Sequence, residues 1–505
     1  MENKIHQCWS WTCIGFARLI SAPRAMAATT PIKPFNPEET QRILHHVQQP
    51  AVFLNMTCGW PVLRWTTEHL TGCLGDRLIR FRLGKKEETN APLFETQCSY
   101  VEARMAQFLS WTQGQTDVGP FSEYPYSEYW AYADYKYIAV LFQDQPLMFE
   151  DVKWSDFGFE GRNGRESTLW IGTVGANTPC HLDTYGCNLV LQVQGRKRWH
   201  LFPPGDTANL YPTRIPYEES SVFSQVDVLH PDLKRFPAFQ GARAHIVTLQ
   251  PGQVLYVPRH WWHFVESVDP ITVSVNSWIE LDVDDVARVS EAVTKTVVWA
   301  IKGAKSDYNT DDWLNPTEEG NVSHNENIQY LNLAVMACAQ KKRDLSHGKL
   351  TRDFGGDHPV KRDSSGQIKT NRDHIRNSEP FVVPFGPHLI PVSSPQKELS
   401  RMTSKDVESH SSRKCAASSQ EDCSIGSEGT DATRLRQGKH ACGTGLTQCR
   451  TCDCADGPSE HSSGDNKESR HTTITTNDLL NCLVHPDVIS RVTELLLEKH
   501  QGGQL

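Results

Sequence analysis

The sequence predicts a mainly β domain with flanking helices, followed by a long polar tail and a short helical end. Residues 34–299 are rich in aromatic side chains and short β-like apolar runs, whereas residues 341–475 are dense in Ser, Gly and charged residues. From Thr168 onward the apolar runs have the pattern of strands alone. These observations predict one large β-rich core and a disordered, low-complexity tail.

The composition divides the chain into five segments. The start is open to two interpretations, because the basic first 25 residues resemble a weak transit peptide, whereas Met26 offers an alternative start. We favour a disordered or alternatively started extension. The segments are this extension (residues 1–33), the β domain (34–301), a helical extension (302–340), the disordered tail (341–475) and C-terminal amphipathic helices (476–500).

Local signals place the first elements of the β domain. Asn36-Pro37 followed by two acidic residues is typical of a helix start. Residues 51–54 and 78–83 have the pattern of strands, and residues 66–72 that of a helix. The early part of the domain therefore alternates strands with short helices before the all-β stretch.

Helices are predicted again after the β domain. Residues 284–301 and 325–340 carry compact apolar clusters, and we expect these helices to close the domain or to form a homodimer interface. Near the end, apolar residues on both sides of Pro486 predict two amphipathic helices. Periodicity leaves two interpretations of this pair equal: docking on the core, or binding a partner.

Charge and cysteine content limit the function classes. The formal net charge is −9 and the pI is about 6.2, so we expect neither DNA nor a membrane as a partner. No apolar run approaches the roughly 20 residues that span a bilayer. The 15 cysteines show no disulfide framework, which favours a reducing compartment, the cytoplasm with the nucleus as the alternative.

A His-x-Asp triplet is the first candidate for chemistry. If residues 178–183 form a strand, His181 and Asp183 project from the same face and both can grip one ion. On its own such a triplet is more typical of a surface turn than of a metal site.

A second segment with histidines makes a metal site the favoured interpretation over a surface turn. Residues 252–263 read as a strand that ends at Pro258 and leads into two tryptophans and two histidines. Two histidines and one carboxylate on one face of an octahedral ion leave three positions free, which suits non-haem Fe(II) with a chelating co-substrate and dioxygen. His260 and His263 both remain candidates for the third ligand, because spacing alone does not decide between them.

A lysine on a predicted inner face indicates an anion site. Residues 189–204 have the pattern of a hairpin with Gly195 at the turn, and Lys197 shares a strand face with Trp199. Burying the lysine ammonium group costs free energy unless an anion pairs with it. The carboxylate of a dicarboxylate co-substrate is such an anion. Without the metal motif, Lys197 reads as an ordinary surface lysine. Thr272, Ser274 and Asn276 form a polar strand face that either lines a pocket or faces solvent.

These segments, in this order, resemble the JmjC branch of the cupin oxygenases and particularly its asparaginyl hydroxylase group. The resembling signatures stand at residues 178–183, 195–204, 210–216 and 251–263. The resemblance implies a double-stranded β-helix, or jelly roll. An extra residue between His181 and Gly195 leaves Asn188 and the substrate specificity unassigned. The resemblance implies His181, Asp183 and His263 as Fe(II) ligands and catalytic centre, and Thr178, Lys197, Tyr132 and Asn276 as 2-oxoglutarate contacts.

The resemblance also implies an activity. A 2-oxoglutarate-dependent dioxygenase couples decarboxylation of this co-substrate to oxidation of a C–H bond, here as a protein hydroxylase. Demethylation of histone lysine ranks lower, because no zinc-ligand array of a chromatin-reading module accompanies the barrel. The alternative is a non-catalytic scaffold or adaptor that binds a small heat shock protein and modulates a stress response. The complete ligand set favours the enzyme, since a pure scaffold has no physical need for it.

Overall fold

The part of the chain that the structure describes contains fifteen strands and eight α-helices. This computed structural model describes residues 32–87, 89–303, 313–318, 322–354, 381–394 and 474–501. The strands are β1 (Ala51–Phe53), β2 (Ile79–Lys85), β3 (Ser99–Ala103), β4 (Tyr129–Tyr137), β5 (Thr168–Thr173), β6 (Asn177–Asp183), β7 (Cys187–Gln194), β8 (Lys197–Phe202), β9 (Pro212–Glu218), β10 (Ser221–Ser224), β11 (His245–Leu249), β12 (Val254–Val257), β13 (Trp262–Ser267), β14 (Ile271–Ile279) and β15 (Leu389–Pro391). The helices are α1 (Pro37–His46), α2 (Thr67–Leu74), α3 (Met105–Thr112), α4 (Ile138–Leu141), α5 (Asp284–Lys302), α6 (His324–Phe354), α7 (Thr476–Leu483) and α8 (Pro486–Gln501).

Two antiparallel sheets form the body of the protein. The larger has nine strands in the order β15-β1-β12-β7-β14-β5-β4-β2-β3, and the smaller has six in the order β11-β8-β13-β6-β10-β9. Consecutive strands such as β5 and β6 lie in different sheets, as a double-stranded β-helix requires. The predicted mainly β fold class with helices after the barrel is confirmed.

The first elements follow the local signals closely. Asn36 caps α1 by accepting a hydrogen bond from the Glu39 backbone N–H at 2.8 Å, and Pro37 occupies the first turn. Strands β1 and β2 and helix α2 lie where the sequence predicted them. A large apolar core, including Phe53, Trp65 and Phe81, packs these helices against the nine-stranded sheet.

The predicted hairpin at Gly195 is wrong. Strand β7 pairs with β12 and β14 in the larger sheet, whereas β8 pairs with β11 and β13 in the smaller one. The turn at Gly195 therefore carries the chain from one sheet to the other. Its φ of +63° lies in the left-handed region, and a Cβ there would lie 2.2 Å from the Ile271 carbonyl oxygen.

Part of the predicted disordered tail is ordered. Residues 341–354 complete helix α6, and β15 pairs with β1 at the edge of the larger sheet. A strand so far along the chain from its partner leaves no local signal in the sequence. The rest of the tail, residues 355–380 and 395–473, lies outside the described residues, as do residues 1–31 of the N-terminal extension.

The helices after the barrel pack on one another and on the smaller sheet. Helix α5 contacts α6 and α8. In α7, Leu480 is fully buried beside Tyr217 of β9, whereas Leu479 and Leu483 are exposed. The structure therefore supports the docking interpretation for one face of the C-terminal pair. The homodimer interface remains a prediction.

The chain divides into two compact units. The first comprises Met1–Pro395 with Leu479–Leu505, and the second comprises Gln396–Asp478. The described part of the second unit is the start of α7, where Thr475 Oγ1 accepts a hydrogen bond from the Asp478 N–H at 3.1 Å. Within the described ranges, every helix is too short or too polar to span a bilayer.

Gly195→Ala tests the strain at the turn between the sheets. We expect it to lower the free energy of unfolding by about 3 kcal/mol, because a left-handed alanine costs about 1–2 kcal/mol and the contact with Ile271 adds to that. The measurement is urea denaturation followed by tryptophan fluorescence. Gly175→Ala is the matched control, since Gly175 has φ +86° but its added Cβ meets nothing closer than 3.5 Å. Equal losses for the two variants would contradict the steric argument.

Candidate metal centre

The pairing of β6 with β13 brings two histidines together. His181 and His263 are directly opposite each other in this ladder, and their ring centroids lie 4.2 Å apart. Asp183 lies on the same face of β6, with its Oδ1 3.9 Å from His181 Nε2. Ligand atoms of all three residues lie within 4.8 Å of one another. The structure thus unites the three predicted ligands in one cluster.

Hydrogen bonds orient the ligand atoms toward a common point. The Nδ1 atoms of His181 and His263 bond the carbonyl oxygens of Pro179 and Trp261, at 2.9 and 3.0 Å. A carbonyl only accepts, so each Nδ1 carries the proton and each Nε2 keeps its lone pair for an ion. The Oδ2 atom of Asp183 accepts a hydrogen bond from Trp278 Nε1 at 3.2 Å, which leaves Oδ1 for an ion.

Burial sets the protonation of these groups. Burial, with added repulsion from His263, lowers the pKa of His181 to about 3, so this imidazole is neutral at physiological pH. Burial also raises the pKa of Asp183. A neutral imidazole is the form that binds metal, and two imidazoles with one carboxylate are a donor set that suits ferrous iron. The residues present therefore fit such an ion.

His260 does not join the cluster. It has a φ of +65°, and its Nε2 lies 2.9 Å from the Thr184 carbonyl oxygen. The left-handed residue breaks the two-residue alternation ahead of β13, which directs His260 away from His263. Geometry thus selects His263 of the two candidates that spacing left open.

A cavity of about 630 Å³ opens between the two sheets at this cluster. Its polar floor includes Lys197, which is 2% exposed and donates to Tyr132 Oη at 3.0 Å and to Ser274 Oγ at 2.9 Å. Burial lowers the pKa of Lys197 to about 7, against the attraction of Asp134. Lys197 therefore faces inward and is not the surface lysine of the other interpretation.

The remaining predicted contacts surround this lysine. Thr178 is buried and lines the cavity. Asn276 also lines it, donating to Asn188 Oδ1 at 2.9 Å while its own Oδ1 accepts from Trp170 Nε1 at 2.7 Å. This contact places the unassigned Asn188 beside Asn276.

The polar face of β14 divides between the cavity and the packed interior. Ser274 and Asn276 line the cavity. Thr272 instead bonds the Gly172 carbonyl oxygen and Ser267, and it is absent from the cavity wall. Only part of this face therefore belongs to the pocket.

Sequence reasoning missed several residues of the cavity, among them Trp278 and Glu218. Trp278, the partner of Asp183, lies on the face of Ser274 and Asn276, so the same alternation could have found it. Glu218 accepts hydrogen bonds from Tyr135 Oη at 3.0 Å and Ser221 Oγ at 3.1 Å. Burial, with repulsion from Glu95, raises the pKa of Glu218 to about 8. Glu218 pairs with Ser221 across the two-residue turn between β9 and β10, and this turn sets its place in the cavity.

Comparison with known proteins agrees with this description. The Cupin-like domain family matches residues 37–284, so fold and site together define a cupin-like domain of the JmjC type. The HSPB1-associated protein 1 homolog of Danio rerio is 58% identical over 467 residues, covering 92% of this chain and 98% of that protein. Human HSPB1-associated protein 1 is 48% identical over 482 residues, covering 92% and 94%.

The chain therefore belongs to the HSPB1-associated protein 1 family. This confirms the resemblance to the JmjC branch and, within it, to the small-heat-shock-protein (27 kDa)-associated protein 1. A more distant relative is lysine-specific demethylase 8 of Xenopus tropicalis, 29% identical over 238 residues, or 46% of this chain and 48% of that protein. The more distant similarity is thus confined to about half of each chain.

Substitutions of His263 and His260 are expected to have opposite outcomes for metal affinity. We expect His263→Ala to weaken Co(II) binding by more than about 100-fold, since even changes to residues behind a ligand cost 10–100-fold. His260→Asn keeps a residue that tolerates a left-handed φ and should bind like wild type. Titration followed by Co(II) absorption measures both, and loss of binding in His260→Asn alone would reverse the assignment.

Proposed function

We propose that the protein is an Fe(II)- and 2-oxoglutarate-dependent oxygenase, acting as a protein hydroxylase. The observation that carries this proposal is the presence, in one cavity, of a His181-Asp183-His263 cluster and a buried, inward lysine. Such a cluster leaves three adjacent positions of an octahedral ion open. Iron with 2-oxoglutarate and oxygen supplies the oxidation of a C–H bond.

The protein's own residues hold and orient the reactants. His181, Asp183 and His263 would hold the ion, with their orientation fixed by two backbone carbonyls and Trp278. Lys197 would bind the distal carboxylate of 2-oxoglutarate, because its hydrogen-bond partners are neutral hydroxyls that leave its charge unbalanced. Thr178 and Tyr132 would complete that end of the pocket, while Asn276, fixed by Asn188, forms its side.

Apolar side chains in the walls would limit the access of bulk water to this centre. Trp170, Trp199 and Trp278 line the cavity together with Val190 and Val265. Its volume of about 630 Å³ lies within the range of ligand pockets, and it exceeds the needs of a small dicarboxylate. We assign the remaining space to a substrate side chain. We rank hydroxylation above demethylation, although two of the more distant relatives are named lysine-specific demethylase 8.

A second candidate function is binding of a small heat shock protein, with or without catalysis. The names of the full-length relatives state association with HSPB1. Exposed apolar side chains on α7 and α8, such as Leu479, Leu483 and Val488, offer surface for a protein partner. An adaptor of this kind would not use the cavity chemistry.

Succinate formation distinguishes the enzyme from the adaptor. We expect the wild type to bind Fe(II) and 2-oxoglutarate anaerobically and to release succinate when oxygen is admitted. The His181→Ala/Asp183→Ala variant should fall to the background without protein, because two of three ligands are gone. Identical behaviour of the two proteins in both assays would favour the adaptor.

Lys197→Met tests the anion site separately from the metal. Loss of a charge-assisted hydrogen bond costs about 2 kcal/mol, so 2-oxoglutarate should bind Co(II)-loaded protein about 30-fold more weakly while Co(II) affinity is unchanged. In the wild type, affinity should fall as pH rises above 7, by up to about tenfold per unit. Binding needs the ammonium, and the pKa of Lys197 in the empty site is about 7. Calorimetry in buffers of different ionisation enthalpy measures the proton uptake.

Arg198→Met is the matched control. Arg198 follows Lys197 on β8 but projects from the other face, toward Glu266 at 3.4 Å. The Arg198→Met variant should bind 2-oxoglutarate with the same affinity and the same proton uptake as the wild type. Equal weakening by both substitutions would show a general charge effect and not a carboxylate site at Lys197.

A further inference from the structure

Residues 313–318 form a short strap beside β9 at the mouth of the cavity. Leu314 makes a parallel bridge to Tyr217, and the Asn315 N–H donates to the Tyr217 carbonyl oxygen at 2.9 Å. The next three residues, Pro316, Thr317 and Glu318, line the cavity that holds the candidate metal centre. The strap is therefore part of the wall of the site.

Polar contacts fix the cavity side of the strap to β9. The buried side chain of Asn315 donates from Nδ2 to Glu218 Oε2 and accepts from the Thr317 N–H at 3.2 Å. Glu318 Oε1 accepts from the Glu219 N–H at 2.6 Å. Because these groups satisfy one another, the strap has one well-defined path across the mouth.

Apolar contacts hold the other side of the strap against two helices. The ring of Trp313 meets Trp299 of α5 edge to face, with centroids 5.1 Å apart. Trp313 and Leu314 pack in one apolar cluster with Leu480 and Val484, which are 0% and 6% exposed. Helix α7 also reaches β9 directly, through Asn481 Oδ1 and Thr213 Oγ1 at 3.3 Å.

We propose that this strap is a specificity-determining element of the site and that α7 is its positioning element. A molecule that fills the mouth on the β9 side contacts Pro316, Thr317 and Glu318. Without α7, the apolar side of the strap loses the surface that covers it, and burial of Trp313 and Leu314 no longer favours the observed path. The effect on entering molecules rests on the proposed function, whereas the support of the strap by α7 does not.

Hydrogen exchange on full-length protein tests the mechanical part. Leu480→Ala removes buried apolar volume from the cluster that contains Trp313 and Leu314, and Leu483→Ala, exposed on the same helix, is the matched control. We expect the Asn315 amide to exchange at least about tenfold faster in Leu480→Ala, with β5 to β7 protected as in wild type. Leu483→Ala should match wild type. Faster exchange in α7 with an unchanged Asn315 amide would overturn the proposal.

A milder substitution covers the case in which Leu480→Ala disturbs the fold. If the amides of β5 to β7 also lose protection, Val484→Ala is measured in the same way, since Val484 contacts the same cluster. A selective increase at Asn315 supports the proposal, and an increase that is uniform over the barrel refutes it.

Metal removal tests what the strap does at the mouth. Co(II)-loaded protein is treated with EDTA and, separately, with the bulkier bathophenanthroline disulfonate. A loosened strap widens the mouth, so Leu480→Ala should accelerate metal removal by the bulky chelator more than removal by EDTA. Leu483→Ala should leave both removal rates unchanged. Faster exchange at Asn315 with unchanged removal rates would refute the role at the mouth. Failure of wild type to bind Co(II) would refute the proposed function while leaving the exchange result intact.

Discussion

The candidate metal centre depends on the register between β6 and β13, where His181 stands opposite His263. Because strand side chains alternate, a slip of one residue would turn one of these histidines to the outer face of the sheet. The register is fixed from both sides, since β6 also pairs with β10 and β13 with β8. Rings from these neighbours hold the pair as well: Phe223 lies 5.9 Å from His181, and Trp199 lies 5.8 Å from His263.

Two buried cations in this barrel show how structural and functional charges differ. Arg82 is fully buried, and its Nε donates to Asp134 at 2.6 Å while Nη2 donates to the Asn177 carbonyl oxygen. Burial alone would lower the pKa of Arg82, but Asp134 raises it well above its usual value. Lys197 donates hydrogen bonds to two neutral hydroxyls, and burial lowers its pKa against a more distant attraction from Asp134. The charge of Arg82 is compensated within the wall, whereas a buried ammonium without a carboxylate in hydrogen-bond contact favours binding of an anion.

Local patterns in the sequence were sufficient for features that depend on alternation alone. They predicted that His181 and Asp183 share a face and that Lys197 shares the face of Trp199, whereas the inward direction of Lys197 was favoured only once the metal motif was considered. They did not decide between His260 and His263, because the left-handed φ at His260 interrupts the alternation. They also predicted a hairpin at Gly195, since a turn signal shows only that the chain reverses and not which strands then pair. The pairing of β15 with β1 was missed for the same reason: partners distant in sequence carry no local mark.

The start of α5 joins two loops that adjoin the ligand-bearing strands β6 and β13. Asp284 is 1% exposed, and its Oδ2 accepts from the Gly186 N–H at 3.0 Å, in the loop after Asp183. Its Oδ1 lies 3.4 Å from Arg259 Nε, in the loop before His263. A single carboxylate thus ties both ligand-bearing strands to one helix N-terminus, where negative charge is favourable. Separating α5 from the barrel would therefore break both the hydrogen bond in the loop after Asp183 and the ion pair in the loop before His263, the two segments that adjoin the ligands.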